Sequence, residues 1–97
     1  MRRVEYTWDE RKAHTNLLKH GVRFGAAVQV FSDPHAFYEH DRFVDGEERW
    51  RVVGWADAQL LLVACITWDE DDDLEVYRLI SARPATLYER RIYEEGT

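Results

Sequence analysis

Leu60-Leu61-Leu62-Val63-Ala64-Cys65-Ile66-Thr67-Trp68 is the stretch that decides the fold. Nine consecutive residues with Thr67 as the only polar one read as a strand covered on both faces. Working back from it, Asp57-Ala58-Gln59 is a turn, and Glu47–Ala56 reads as a second strand carrying Trp50, Val52, Val53 and Trp55. Asp45-Gly46 marks a further turn, and His35–Phe43 reads as an edge strand with a loop. Working forward, the five adjacent acids Asp69–Asp73 repel one another and predict a solvated loop. Leu74–Ile80 is the last strand. Short turns between consecutive strands predict an antiparallel meander.

Helical periodicity flanks this block. Val4–Trp8 alternates weakly and predicts a short first strand. Thr7 precedes Glu10 at capping-box spacing, ahead of a helix from about Asp9 to His20. Ala13, Asn16, Leu17 and His20 share one stripe of that helix, and Gly21 supplies the stop. Phe24, Ala27, Val28 and Phe31 repeat the spacing for a second helix, which Ser32-Asp33-Pro34 ends. Pro84 suits the first position of a closing helix with Ala85, Tyr88 and Ile92 on its stripe and Gly96 at its end. The expected fold class is α+β. An antiparallel sheet of about four strands carries two N-terminal helices and one C-terminal helix, in a single domain over residues 1–97.

Composition narrows the function classes. The net charge is −6, which argues against nonspecific coating of nucleic acid. Its distribution is uneven. Residues 1–23 hold six Lys/Arg against three acids, residues 24–75 three against thirteen, and residues 76–97 four against three. If the fold brings the two ends together, an acidic protein can still present a positive cleft; ordinary solvated faces are the plainer reading. No stretch has the apolar length to span a bilayer, and the start lacks a signal peptide's apolar segment. The lone Cys65, in an apolar run, fits a reducing cytoplasm.

Three groups can carry chemistry. Arg78-Leu79-Ile80-Ser81-Ala82-Arg83-Pro84 runs from a strand into a helix start, where free amide protons favour an anion. Strand parity puts Arg78 with Leu74, Val76 and Ile80, so it needs either an internal acid such as Glu47 or a ligand phosphate. In Glu47-Glu48-Arg49-Trp50-Arg51, alternation puts Glu47, Arg49 and Arg51 on one face and Glu48 and Trp50 on the other. A carboxylate beside arginines suits proton transfer next to a stabilised phosphate, and equally an exposed strand face. Lys19-His20 ends the first helix; a histidine there can exchange protons near neutrality or simply pack. His35, His40, Asp33, Asp41 and Asp45 match no standard zinc or calcium spacing, so no metal or other cofactor is expected.

Several short pieces stand in a set order along the chain: Trp8-Asp9-Glu10 with Lys12, then Asn16-Leu17-Leu18-Lys19-His20-Gly21-Val22 and Phe24. Ala27 with Val30-Phe31-Ser32-Asp33-Pro34 follows, then Asp45-Gly46-Glu47-Glu48-Arg49-Trp50 ahead of Gly54. Arg78-Leu79-Ile80-Ser81-Ala82-Arg83 and Glu89-Arg90-Arg91-Ile92-Tyr93 complete the series. In this order and spacing, over nearly its whole length, the chain resembles the BrnT family.

The resemblance implies a RelE-like fold and a growth-arresting endoribonuclease. It also implies a cognate BrnA-like antitoxin, a ribbon-helix-helix protein that buries the active face and binds DNA for the complex, giving a hetero-oligomer. The positions matching the family's motifs are Lys19, His20, Glu47, Arg49, Arg78, Ser81 and Arg83. Of these Lys19, His20, Glu47, Arg49, Arg78 and Ser81 are expected to be catalytic, with Arg83 and Arg51 binding RNA. Departures are Pro84, where a basic residue is expected, and the acidic Asp69–Asp73 segment, expected at the far end of the sheet from the cleft. Competing readings are a catalytically inert binding module acting only within an antitoxin repressor complex, a DNA-binding regulator acting alone, and a metal-dependent enzyme.

Overall fold

A computed structural model of the chain describes residues 2–96. Five strands form one sheet: β1 (Arg3–Thr7), β2 (Phe37–Val44), β3 (Glu47–Ala56), β4 (Gln59–Asp71) and β5 (Leu74–Pro84). Their order is β1-β5-β4-β3-β2, so the apolar stretch that opened the sequence reading lies in the central strand. Strands β2 to β5 form the expected antiparallel meander. The sheet is mixed rather than purely antiparallel, with five strands rather than four, because β1 pairs parallel to β5. A parallel partner needs a crossover, which the helices and the meander supply.

The helices are α1 (Glu10–His20), α2 (Phe24–Ala27) and α3 (Leu87–Glu95), with a 3-10 turn over Val28–Ser32 after α2. The N-cap of α1 is Asp9, whose carboxylate accepts from the amides of Arg11 (2.7 Å) and Lys12 (3.3 Å); the expected Thr7 cap is replaced because Thr7 is held in β1. Gly21 ends α1 at φ 70°, as expected. The second helix is one α turn followed by 3-10 geometry. The tighter winding eclipses residues three apart, so Val30 rather than Phe31 joins Ala27 in full burial. Pro84 ends β5 and does not start α3. That helix begins after Thr86, which forms a reciprocal capping box with Glu89. The acids Asp69–Asp73 form the β4–β5 hairpin end rather than a loop, since β4 runs to Asp71.

Register assigns the faces, because directly paired residues share one side of a sheet. On the first face, Val52, Val63, Leu79 and Ala82 join Phe24, Ala27 and Val30 in the main core under α2 and the 3-10 turn. The turn sits so close that a Cβ on Gly54 would lie 2.9 Å from Val30 Cγ1 and 3.2 Å from Val30 O. On the second face, Val53, Leu60 and Leu62 pack on Tyr93 of α3. Each fully buried aliphatic side chain contributes about 1.5–3 kcal/mol. Because α3 covers one end only, the rest of the second face stays open.

Candidate functional site

The open face is built by strand alternation. Arg42 pairs with Arg49, Arg49 with Ile66, Ile66 with Arg78 and Arg78 with Thr7, giving one transverse row across all five strands. Arg49 and Arg78 thus stand on either side of Ile66, their backbones about 10 Å apart at two strand spacings. Ile66 is buried beneath them. The next row toward α3 runs Glu39, Arg51, Ala64 and Ser81; the one after runs Phe37, Val53, Leu62 and Arg83. Glu47 lies two residues beyond Arg49 on its strand, on the opposite side of the arginine row from Ser81.

Charge pairing divides these arginines. Arg51 is ion-paired to Glu39. Arg83 makes two parallel bonds of 2.8 Å to Glu89 of α3, the bidentate geometry that is strongest for a guanidinium. Hydrogen bonding from Arg83 holds the Glu89 carboxyl below its ordinary value against the opposing effect of burial. Arg49 and Arg78 make no ion pair among the described residues, and the Arg78–Glu47 pair that parity suggested does not form. The buried Nε of Arg49 has no hydrogen-bond partner. An unpaired donor out of water is costly and invites an acceptor.

Lys19 and His20 lie elsewhere. They line a cavity of about 270 Å³ with Arg11, Lys12, Thr15, Asn16, Ile80 and Ser81, bounded by four basic residues and no acid. A bulge in β5 at Ile80 explains how Ser81 belongs to both groups: it pairs with Ala64 in the sheet and also lines the cavity under α1. The same bulge takes Ile80 out of the set shared by Leu74, Val76 and Arg78. Arg83, expected as a free RNA contact, is instead held by Glu89, and Arg51 by Glu39. Arg42 is the member of the row that sequence reasoning missed. A second bulge, between His40 and Arg42, sets its facing, and alternation from Phe37 alone gives the wrong parity there. The acidic hairpin lies nearer the row than the far end expected: Asp69 pairs with Glu75, three residues and roughly 10 Å before Arg78 along β5, and Arg2 is ion-paired to Asp69 at the hairpin's base.

An open sheet face that carries arginines without ion pairs on rigid strands has the charge and geometry to receive an anion. No helix of the described residues is long and apolar enough to cross a membrane. The family model of the ribonuclease toxin BrnT of type II toxin–antitoxin systems matches residues 8–89, and the chain belongs to that family. The match spans the three strands that carry Arg42, Arg49 and Arg78 and the Lys19-His20 helix. No curated protein matches the chain. Membership of a type II system implies an antitoxin as partner.

Proposed function

We propose that the chain is a metal-independent endoribonuclease of RelE-like build that cleaves RNA across the Arg49–Arg78 row. The observation that carries this reading is the contrast in pairing: Arg51 and Arg83 are each held by a carboxylate, while Arg49 and Arg78 flank Ile66 without an ion pair among the described residues. A phosphate seated over Ile66 receives a guanidinium from each side, which stabilises the added charge of a pentacovalent phosphorus.

The chemistry is 2′-hydroxyl attack. The 2′ oxygen forms a bond to phosphorus, the bond to the 5′ oxygen breaks, and the products are a 2′,3′-cyclic phosphate and a 5′-hydroxyl. Attack and departure are in line, so base and acid belong on opposite sides of the phosphorus. Glu47 and the Ser81 corner with Lys19 and His20 lie on opposite sides of the arginine row. This reading gives Glu47 the 2′ proton and has His20 or Lys19, from the basic cavity beside Ser81, return one to the leaving oxygen. Ser81 orients the departing strand. Arg83 and Arg51 support RNA binding from the α3 side. The activity is cytoplasmic, in one domain over residues 1–97. A BrnA-like ribbon-helix-helix antitoxin covers the open face and carries the DNA contacts of the hetero-oligomer.

The test is induction without antitoxin together with cleavage of end-labelled RNA in chelator. Growth arrest and chelator-resistant products with 2′,3′-cyclic ends are expected. Normal growth and intact RNA would instead establish the inert binding module.

A further inference from the structure

The face of the sheet opposite the arginine row carries a second recess, of about 350 Å³, lined by Tyr38, Glu48, Trp50, Thr67, Glu75 and Tyr77. It lies past the edge of the 3-10 turn, where the main core gives way to solvent. Three of its six walls are aromatic and two are carboxylates. The rings are held in place: Tyr77 packs edge-on to Phe31 (5.1 Å between centroids), and Trp50 meets His40 at 5.1 Å and 88°. Glu48 and Tyr77 both pair with Thr67, so a carboxylate and a phenol flank the recess in one row. Burial first, and then the negative charge of Glu75, pushes the Tyr77 phenol up; the Tyr38 phenol is raised mainly by burial. Both phenols stay neutral beside the two carboxylates, of which Glu48 also lies 3.4 Å from His40 Nε2 at the rim.

Such a lining repels RNA phosphate and attracts a cation. Flat rings offer stacking faces to a guanidinium, and a carboxylate fits its fork. The acidic hairpin Asp69–Asp73 continues the negative field directly beyond Glu75, so further basic residues of the same segment meet it. We infer that this recess is a docking site for an arginine side chain of a basic segment in a protein partner. It lies on the face that the nuclease reading does not use and is independent of that reading.

The experiment follows the Trp50 indole signal by NMR as the full chain is titrated with N-acetyl-arginine amide and, separately, with the neutral isostere N-acetyl-citrulline amide. A saturable shift with arginine and none with citrulline is expected. Glu48→Gln and Glu75→Gln should each weaken the arginine effect by about tenfold. Equal shifts with both compounds, no shift at Trp50, or shifts confined to the Asp69–Asp73 hairpin would each overturn the assignment. The citrulline comparison on the unaltered protein decides the matter even if a glutamine variant folds poorly.

Discussion

Asn16 completes the backbone pairing of Ala82 as a neighbouring strand does. Its Nδ2 donates to Ala82 O at 2.8 Å, and the Ala82 amide donates to its Oδ1 at 3.0 Å. Strand β1 pairs β5 only as far as Arg78, so beyond that point the outer edge of β5 lacks a strand. One buried carboxamide on α1 fills the gap and, by donating also to Val22 O at 2.9 Å, ties the helix, its exit and the sheet together. This fixes α1, and with it Lys19 and His20, beside Ser81.

Replacing Asn16 with Leu should destabilise the fold by about 2–4 kcal/mol, because the Ala82 amide and two carbonyls lose their partner at a buried site. Urea unfolding followed by tryptophan fluorescence measures it. A change under 1 kcal/mol would show that the edge is closed by something else.

In the proposed site, Arg49→Ala and Arg78→Ala should each lower RNA cleavage by about a hundredfold, with unfolding midpoints little changed. Lysine at either position should restore little, since a point charge lacks the fork. Arg51→Ala should cost less, because Glu39 already occupies that guanidinium. Initial rates on one labelled RNA compare the five variants. Equal losses at Arg49 and Arg51 would contradict the distinction between paired and free arginines.

Stability should fall in acid through two carboxyls. Glu89 is lowered from its ordinary value of 4.5, first by the Arg83 hydrogen bond. Burial works to raise Asp33, but donors outweigh it, namely the Trp55 and His35 amides (2.9 and 2.8 Å) and the Tyr93 hydroxyl (2.7 Å), so it too ends lowered from 3.8. A lowered folded-state value means the stabilisation is complete above the unfolded value and is lost as pH drops through the folded one. Thermal midpoints should therefore decline below about pH 4.5, and Glu89→Gln should lose part of that dependence. An identical acid slope in the variant would count against the Arg83–Glu89 contribution.

Gly54→Ala should destabilise by about 1–3 kcal/mol, as overpacking does, since the new methyl meets Val30 at 2.9 Å from its side chain and 3.2 Å from its carbonyl. Calorimetry reads this as a lower Tm. The strain is local to the 3-10 turn, so RNA cleavage at low temperature should survive.

Short-range patterns made much of the molecule legible. The apolar run centred on Val63, the turn at Asp45-Gly46, the stop at Gly21 and the alternation of Glu47, Arg49 and Arg51 depend on residues close in the chain, and each stands as expected. The family itself was readable from the ordered motifs between Trp8 and Glu89. Helix starts were less secure. Thr7 and Pro84 carry suitable signals, yet both are taken up by strands that pair with β5 and β4.

From the chain alone came most of the elements and the alternation within β3. Which arginines are free was settled only by the fold, because Glu39 and Glu89 reach Arg51 and Arg83 from other elements. The same holds for the row of Arg42, Arg49 and Arg78 about Ile66, and for the separation of Lys19 and His20 from it. The reason is one of range. Propensity and periodicity act over a few residues, whereas register, bulges and ion pairing are set by strands and helices far apart in sequence that meet only when packed.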